Sequence, residues 1–264
     1  MISTVNRVLF IGAGRMAQAI IKGLVQQSDF HIAVTNNGDE QRLNYVKEKF
    51  GVEIVESWRE EIETTDVIVL ALPPEAHGSL LNELANFIDK HLIVTVAAGI
   101  DPAYLEKSLP EGTPVAWMMP NTAAELGKSM TLYTCGTHTN SSHEELLQQM
   151  LSGIGSYEKV TEQQIHELTP ITGSAPAFVY AMADTLINCA MESGVTEQQA
   201  RKLVAEMIGG AASMLKTGES PKQLADNVAT PGGVTAAGLD VLDRNNFDGL
   251  ISGAIDACHK RAKI

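Results

Sequence analysis

Apolar positions follow two rhythms along this chain, and the change from one to the other divides it. Between Arg7 and Lys159 short apolar runs alternate with amphipathic stretches. Arg7-Val-Leu-Phe-Ile11 predicts a buried strand, and residues 16–27 predict a helix with Met16, Ile20 and Leu24 on one face. The pattern returns at residues 31–34, at 66–71 with a helix starting near Glu75, and at 92–96. Asp101-Pro102 predicts an N-cap followed by a proline whose missing N–H costs nothing at the first helical position. Strands over 115–119, 129–134 and 156–159 complete the series, and Ser142 with Glu145 predicts a capping box for the helix before the last strand. Apolar strands separated by helices require a sheet covered on both faces, which is an α/β architecture.

After Thr161 the strand signal stops. Thr161-Glu-Gln-Gln164 and Thr196-Glu-Gln-Gln199 read as capping boxes, and Ser220-Pro221 reads as an N-cap with proline at N1. The expected division is therefore an α/β domain over residues 1–160 and an all-α domain over 161–264. The helical part is rich in small and flexible apolar residues, as in Met207-Ile-Gly-Gly-Ala-Ala-Ser-Met214. Helices apolar around most of their circumference are expected to be buried on several sides, here by a second subunit, giving a homodimer or a higher oligomer of dimers.

Composition narrows the function classes. A formal charge of -13 opposes nucleic acid or an anionic membrane surface as a partner, because both require clustered Lys and Arg. Cys135, Cys189 and Cys258 lie far apart and form no C-x-x-C pair, so neither a disulfide framework nor a zinc cage is expected, and a reducing cytoplasm is. No apolar stretch approaches membrane-spanning length, and the seven histidines show no metal-ligand spacing.

Gly12-Ala-Gly-Arg-Met-Ala17 is G-x-G-x-x-A placed between the first strand and the first helix. Gly12 permits the tight turn, Gly14 admits a pyrophosphate to the backbone, and Ala17 lets helix and strand approach. Ala13, Arg15 and Met16 fill the same phosphate-binding turn, whose helix start offers N–H donors and positive dipole. After the second strand stand Thr35, Asn36, Asn37 and Gly38, with Arg42 a turn further on. NAD enzymes of this design carry an acid here for the ribose 2′-hydroxyl; two amides instead favour the 2′-phosphate of NADP, with NAD as the alternative. Asp39 and Glu40 count against that choice, unless they serve as first-turn acids of the next helix.

The chain resembles the pyrroline-5-carboxylate reductase family over nearly its whole length. The likeness is carried by the Gly12 turn, Val96-Ala-Ala-Gly99, Met119-Pro-Asn-Thr122, Thr172-Gly-Ser-Ala-Pro-Ala-Phe178 and, most specifically, Asp226-Asn-Val-Ala-Thr-Pro-Gly-Gly-Val-Thr235. The resemblance implies an N-terminal Rossmann-type domain, an all-α dimerisation domain, and NADPH-dependent reduction of the imine carbon of 1-pyrroline-5-carboxylate to L-proline, the last step of proline biosynthesis. It implies that Thr230, Gly232, Gly233 and Val234 cradle the substrate carboxylate, that Thr235 places a hydroxyl near the ring nitrogen, and that Ser174 lies near the substrate. For the cofactor it implies contacts from Ala71, Leu72, Pro73, Ala97 and Gly99, and for Asn121 either a cofactor contact or a part in shaping its turn. It further implies interlocked helical domains, with the substrate loop of one subunit facing the nicotinamide on the other.

The chain departs from the family pattern at Pro73, where a lysine is usual, and at Trp117, Ala123 and Ala175. A diverged, non-catalytic nucleotide-binding relative is thus one alternative. A hydroxyacid dehydrogenase of similar plan is another, although residues 178–188 lack the lysine it would need.

Overall fold

Strand β1 (Asn6–Ile11) leads into helix α1 (Arg15–Leu24) in the computed structural model, which describes residues 5–262. Alternation continues through β2 (Phe30–Thr35), α2 (Glu40–Phe50), β3 (Glu53–Ile54) and the single turn α3 (Trp58–Glu61). Then come β4 (Val67–Leu70), α4 (His77–Leu84), β5 (Leu92–Thr95), α5 (Pro102–Ser108) and β6 (Val115–Met119). Strand β7 (Ser129–Cys135), helix α6 (Ser141–Ser152) and strand β8 (Gly155–Lys159) close the sheet. The strands lie in the order β3-β2-β1-β4-β5-β6-β7-β8, parallel except for the β6–β7 pair.

Alternation along each strand builds the two cores. Val8, Phe10, Val67 and Val69 turn to one face, where Ile20, Ile21 and Leu24 of α1 cover them. Leu9, Ile11, Ile68 and Leu70 turn to the other, against Leu81, Leu84 and Leu105. Each such side chain buried on both sides contributes about 1.5–3 kcal/mol, enough to fix strand register.

Several expectations shift at their ends. The first helix stops at Leu24, and the helix expected from Glu75 begins as a short 3₁₀ turn, Pro74–Ala76, before α4. The capping box expected at Ser142 and Glu145 lies two residues earlier. Asn140 accepts from His143 N–H and the His143 ring receives the Asn140 N–H, so the asparagine takes the cap that the serine would have held. Asp101, Thr161, Thr196 and Ser220 cap as the sequence indicates.

Contacts divide the chain between Gly173 and Ser174. That is one helix later than the composition change near residue 160, because α7 (Glu162–Thr169) belongs by packing to the sheet unit: its Ile165 joins Trp117 and Leu132 in a small buried cluster. Trp117 is fully buried beside His166, with ring centroids 4.9 Å apart, so it serves as a core residue. A π-helical turn, Pro170–Ser174, leads into the second unit, which consists of α8 (Ala175–Glu192), α9 (Glu197–Leu215), α10 (Pro221–Val228), α11 (Val234–Arg244) and α12 (Phe247–Ala262). Within one chain these helices are not buried on several sides. Helix α8 buries no residue fully and leaves Val179, Tyr180, Met182 and Met191 exposed.

The β7–β8 margin carries a titratable cluster. Tyr133 donates to Glu144 at 2.9 Å and accepts from Gln148 at 2.8 Å, while Lys159 donates to Glu144 at 2.6 Å. Burial pushes the Cys135 thiol up to about 11 and the Tyr133 phenol up to about 12, and the Glu144 carboxylate adds to both. Both groups therefore ionise more readily in the unfolded chain; their stabilisation is complete below the ordinary values of 9.0 and 10.0 and is lost as pH rises through 11 and 12. Thermal melts followed upward from neutral pH are expected to show a falling midpoint over that window. Cys135→Ala should remove the part that begins first, and an identical decline in both proteins would contradict this assignment.

Candidate active site

Register aligns four strand ends. Ile11 pairs with Thr35 on one side and Leu70 on the other, and Leu70 pairs with Thr95. The segments that follow, 12–14, 36–38, 71–73 and 96–99, consequently leave the sheet side by side. The chain order reverses direction between β1 and β4, and ligands of open α/β sheets collect outside the strand ends at such a crevice.

Gly12 shows why its turn must be glycine. Its φ is +112°, and a Cβ there would stand 2.3 Å from the Ala71 carbonyl oxygen. Ala71 N–H in turn donates to Ile11 at 2.9 Å, so the first and fourth strand ends are locked together at this point. Gly14 is different. It has an ordinary φ of -67°, caps α1 with no side-chain hydrogen bond, and a Cβ added to it would meet nothing within 4 Å. The space in front of the helix start is open, and the first-turn N–H groups of Arg15, Met16 and Ala17 have no intrahelical acceptor. Open space, free donors and the positive helix end fit a pyrophosphate. Gln18 braces the turn by donating to Ala13 O at 2.9 Å.

Beside this turn lies a cleft of about 340 Å³ lined by Ile11, Asn36, Asn37, Leu72, Ser57 and Arg59, among others. It brings together three of the cofactor residues expected from sequence. Arg15 and Met16 instead line a separate hollow with Lys49, Phe50 and Glu125. Asn36 accepts the Asn37 N–H at 3.0 Å, and Arg42 pairs at 3.3 Å with Asp39, the residue that caps α2. Ser57, Trp58 and Arg59 also line the cleft, beyond the residues that the sequence motifs indicate. Arg59 lies over the Trp58 ring, 4.3 Å from its centroid, and pairs with Glu83. The signal for them is Ser57-Trp-Arg-Glu60, a capping pattern that here opens α3, with Ser57 accepting from Arg59 N–H.

On the other side of β1, Pro73 and Ala97 flank the strand ends, and Gly99 turns the chain with φ +79°. Asn121 has both side-chain groups engaged by the fold: its oxygen accepts from Ala123 N–H and its amide donates to Thr172 O, each at 3.0 Å. It shapes its turn.

In the helical unit Thr230-Pro231-Gly232-Gly233 forms a tight turn. Gly233 N–H donates to Thr230 O at 2.9 Å, and Gly232 has φ +72°, the left-handed third position that follows proline in a type II turn. A Cβ on Gly233 would meet Thr230 Oγ1 at 2.5 Å. Because its N–H closes the turn, Gly233 shapes the loop while donors at Val234 and Thr235, in the first turn of α11, have no intrahelical acceptor. Val234 and Thr235 are exposed. Ser174 ends the π-helical turn and caps α8 with no side-chain bond of its own.

Known proteins match this chain in both units. Residues 162–264 match the family described as pyrroline-5-carboxylate reductase dimerisation, and residues 7–99 match that described as NADP oxidoreductase, coenzyme F420-dependent. Pyrroline-5-carboxylate reductase 1 of Bacillus spizizenii is 36% identical over 263 residues, covering 98% of this chain and 89% of that protein. The chain belongs to the pyrroline-5-carboxylate reductase family. The solved structure of the reductase from Coxiella burnetii superposes with a TM-score of 0.88 at 29% identity, covering 98% of each chain. The Plasmodium falciparum pyrroline carboxylate reductase with NADP bound gives the same TM-score at 26% identity and the same coverage. The helical unit of this reductase is thus a dimerisation domain, which accounts for the apolar surface α8 leaves exposed in one chain. Among the described residues no helix is long and apolar enough to cross a membrane.

Proposed function

We propose that this chain is an NADPH-dependent pyrroline-5-carboxylate reductase, with the sheet unit, through Gly173, binding the cofactor and the helical unit from Ser174 carrying dimerisation and substrate binding. The observation that carries this reading is the pair of helix starts, α1 behind Gly14 and α11 behind Gly233, each preceded by a glycine turn and each capped by no side chain. The first suits a pyrophosphate and the second a carboxylate. NADPH, when bound, supplies the hydride that reduces the imine.

The chain's own residues orient and hold. Val234 and Thr235 N–H groups, with the Gly232 peptide, anchor the carboxylate, and the Thr235 hydroxyl hydrogen-bonds the ring nitrogen as it changes from iminium to amine. A protonated cyclic imine is already electrophilic, so alignment does most of the work. Ser174 borders the substrate, while Ala97, Gly99 and the 71–73 segment border the nicotinamide. Pro73 has no N–H and its carbonyl already accepts from Ala76 and His77, so the 71–73 segment meets the nicotinamide through apolar contact. Cytoplasmic location is part of the same reading, supported by three free cysteines.

The test is purified protein with NADPH and 1-pyrroline-5-carboxylate, followed at the nicotinamide absorbance. Oxidation that requires the imine and yields proline one for one is expected; oxidation absent with this imine would contradict the assignment.

Cofactor choice gives a second expectation. Asn36→Asp keeps the oxygen that accepts the Asn37 N–H and adds a charge at the mouth of the cleft, where a 2′-phosphate would meet it. Affinity for NADPH should fall roughly tenfold, about 1.4 kcal/mol, while NADH affinity holds or improves. Parallel losses for both nucleotides would show that Asn36 does not read the phosphate.

A further inference from the structure

His77 is a histidine with no exposed surface, at the start of α4, and none of the chemistry above uses it. Its Nδ1 lies 3.1 Å from Pro73 O, an atom that can only accept, so Nδ1 carries the proton. Burial holds the imidazole below its ordinary value, so the ring is neutral at neutral pH and Nε2 is an acceptor. Thr95 Oγ1 lies 3.1 Å from Nε2 and donates to it, and the same hydroxyl oxygen accepts the Ala97 N–H at 3.2 Å. Thr95 is fully buried as well. A continuous polar chain therefore runs from Pro73 O through His77 and Thr95 to Ala97 N–H, beneath the sheet ends of β4 and β5.

We infer that the His77–Thr95 bridge is a positioning device that holds the 71–73 and 96–99 segments at the spacing the nicotinamide half of the cofactor requires. It rests on the assignment of those segments to the nicotinamide. Each segment is otherwise tied at its base by a backbone bond to the neighbouring strand, Ala71 N–H to Ile11 O of β1 and Val96 N–H to Leu70 O of β4. The bridge is the side-chain link between them. In a buried site an acceptor or donor left without a partner is costly, so removing the Thr95 hydroxyl strands both His77 Nε2 and the Ala97 N–H, and the segments must shift to recover partners. A displacement of an ångström at a reacting centre is enough for roughly a hundredfold loss of rate.

The experiment compares binding of NADP⁺ with binding of adenosine 2′,5′-bisphosphate, which lacks the nicotinamide half, by calorimetry on the full-length protein. In the wild type the whole cofactor is expected to bind more tightly than the fragment. Thr95→Val should shrink that preference roughly tenfold by weakening NADP⁺ alone, with a fall in kcat, and Thr95→Ser should restore both. His77→Asn, which keeps a donor near Nδ1 for Pro73 but loses the acceptor for Thr95, should shift the preference the same way and serves if Thr95→Val folds poorly. A folded variant that retains the wild-type preference, or weakens both nucleotides equally, overturns the bridge. A wild type that shows no preference for the whole cofactor overturns the nicotinamide placement itself.

Discussion

Replacing Thr235 by alanine is expected to lower kcat roughly 10²-fold, the usual scale for losing one positioned group at a proton-handling atom. The residue sits in the first turn of α11, exposed, immediately beyond the turn that Gly232 and Gly233 shape. In the proposed site its N–H and its hydroxyl meet different parts of the substrate, and alanine removes only the second. The carboxylate anchor is therefore expected to survive, KM to change less than kcat, and NADPH to bind as before, since the proposed nucleotide contacts lie in the sheet unit. Thr235→Ser, which retains the hydroxyl, should recover most of the rate. Steady-state kinetics and a nucleotide titration check both statements; unchanged kcat in the alanine variant would remove Thr235 from the chemistry.

Gly12→Ala is expected to damage folding and nucleotide binding together, whereas Gly14→Ala damages binding alone. At Gly12 a side chain meets two penalties: a left-handed backbone, about 1–3 kcal/mol, and a Cβ driven to 2.3 Å from a backbone oxygen that the β1–β4 pairing cannot yield easily. Overpacking of that kind adds about 1–3 kcal/mol, so the sum corresponds to a clear drop in melting temperature. At Gly14 the backbone is ordinary and the space is empty. Alanine should leave the melting temperature within a degree or so of wild type, since a compatible surface change costs about 0.5 kcal/mol at most, and still weaken NADPH binding by about 10²-fold through occupying the phosphate's place. Equal melting temperatures for the two variants would contradict this account of the turn.

Much of this was legible in the sequence because it depends on local rules. Strands buried on both faces announce themselves as apolar runs, and with the exposed β8, marked by its place after a capped helix, seven of the eight are legible; β3, two residues long, is too short to show any alternation. The caps at Asp101, Thr161, Thr196 and Ser220 follow from side chains that bond three residues on. What the sequence hid depends on distance. Arg59 reaches the cleft of Asn36 and Asn37 only because a two-residue strand returns the chain beside β2. His77 and Thr95 are 18 residues apart, and neither matches a motif; their link exists because β5 lies beside β4 in register. The place of α7 was hidden in the same way, since its helical signal says nothing about which unit it packs against.

In the proposed reaction main-chain amides at the starts of α1 and α11 hold the two anionic ends of the reactants. A crystal structure of the homodimer soaked with NADP⁺ and L-proline tests it most directly. The expected result is pyrophosphate density within hydrogen-bond distance of the Arg15 and Met16 N–H groups, and proline carboxylate density on Val234 and Thr235 N–H. Nucleotide or proline bound elsewhere, with both helix starts facing only water, would contradict it.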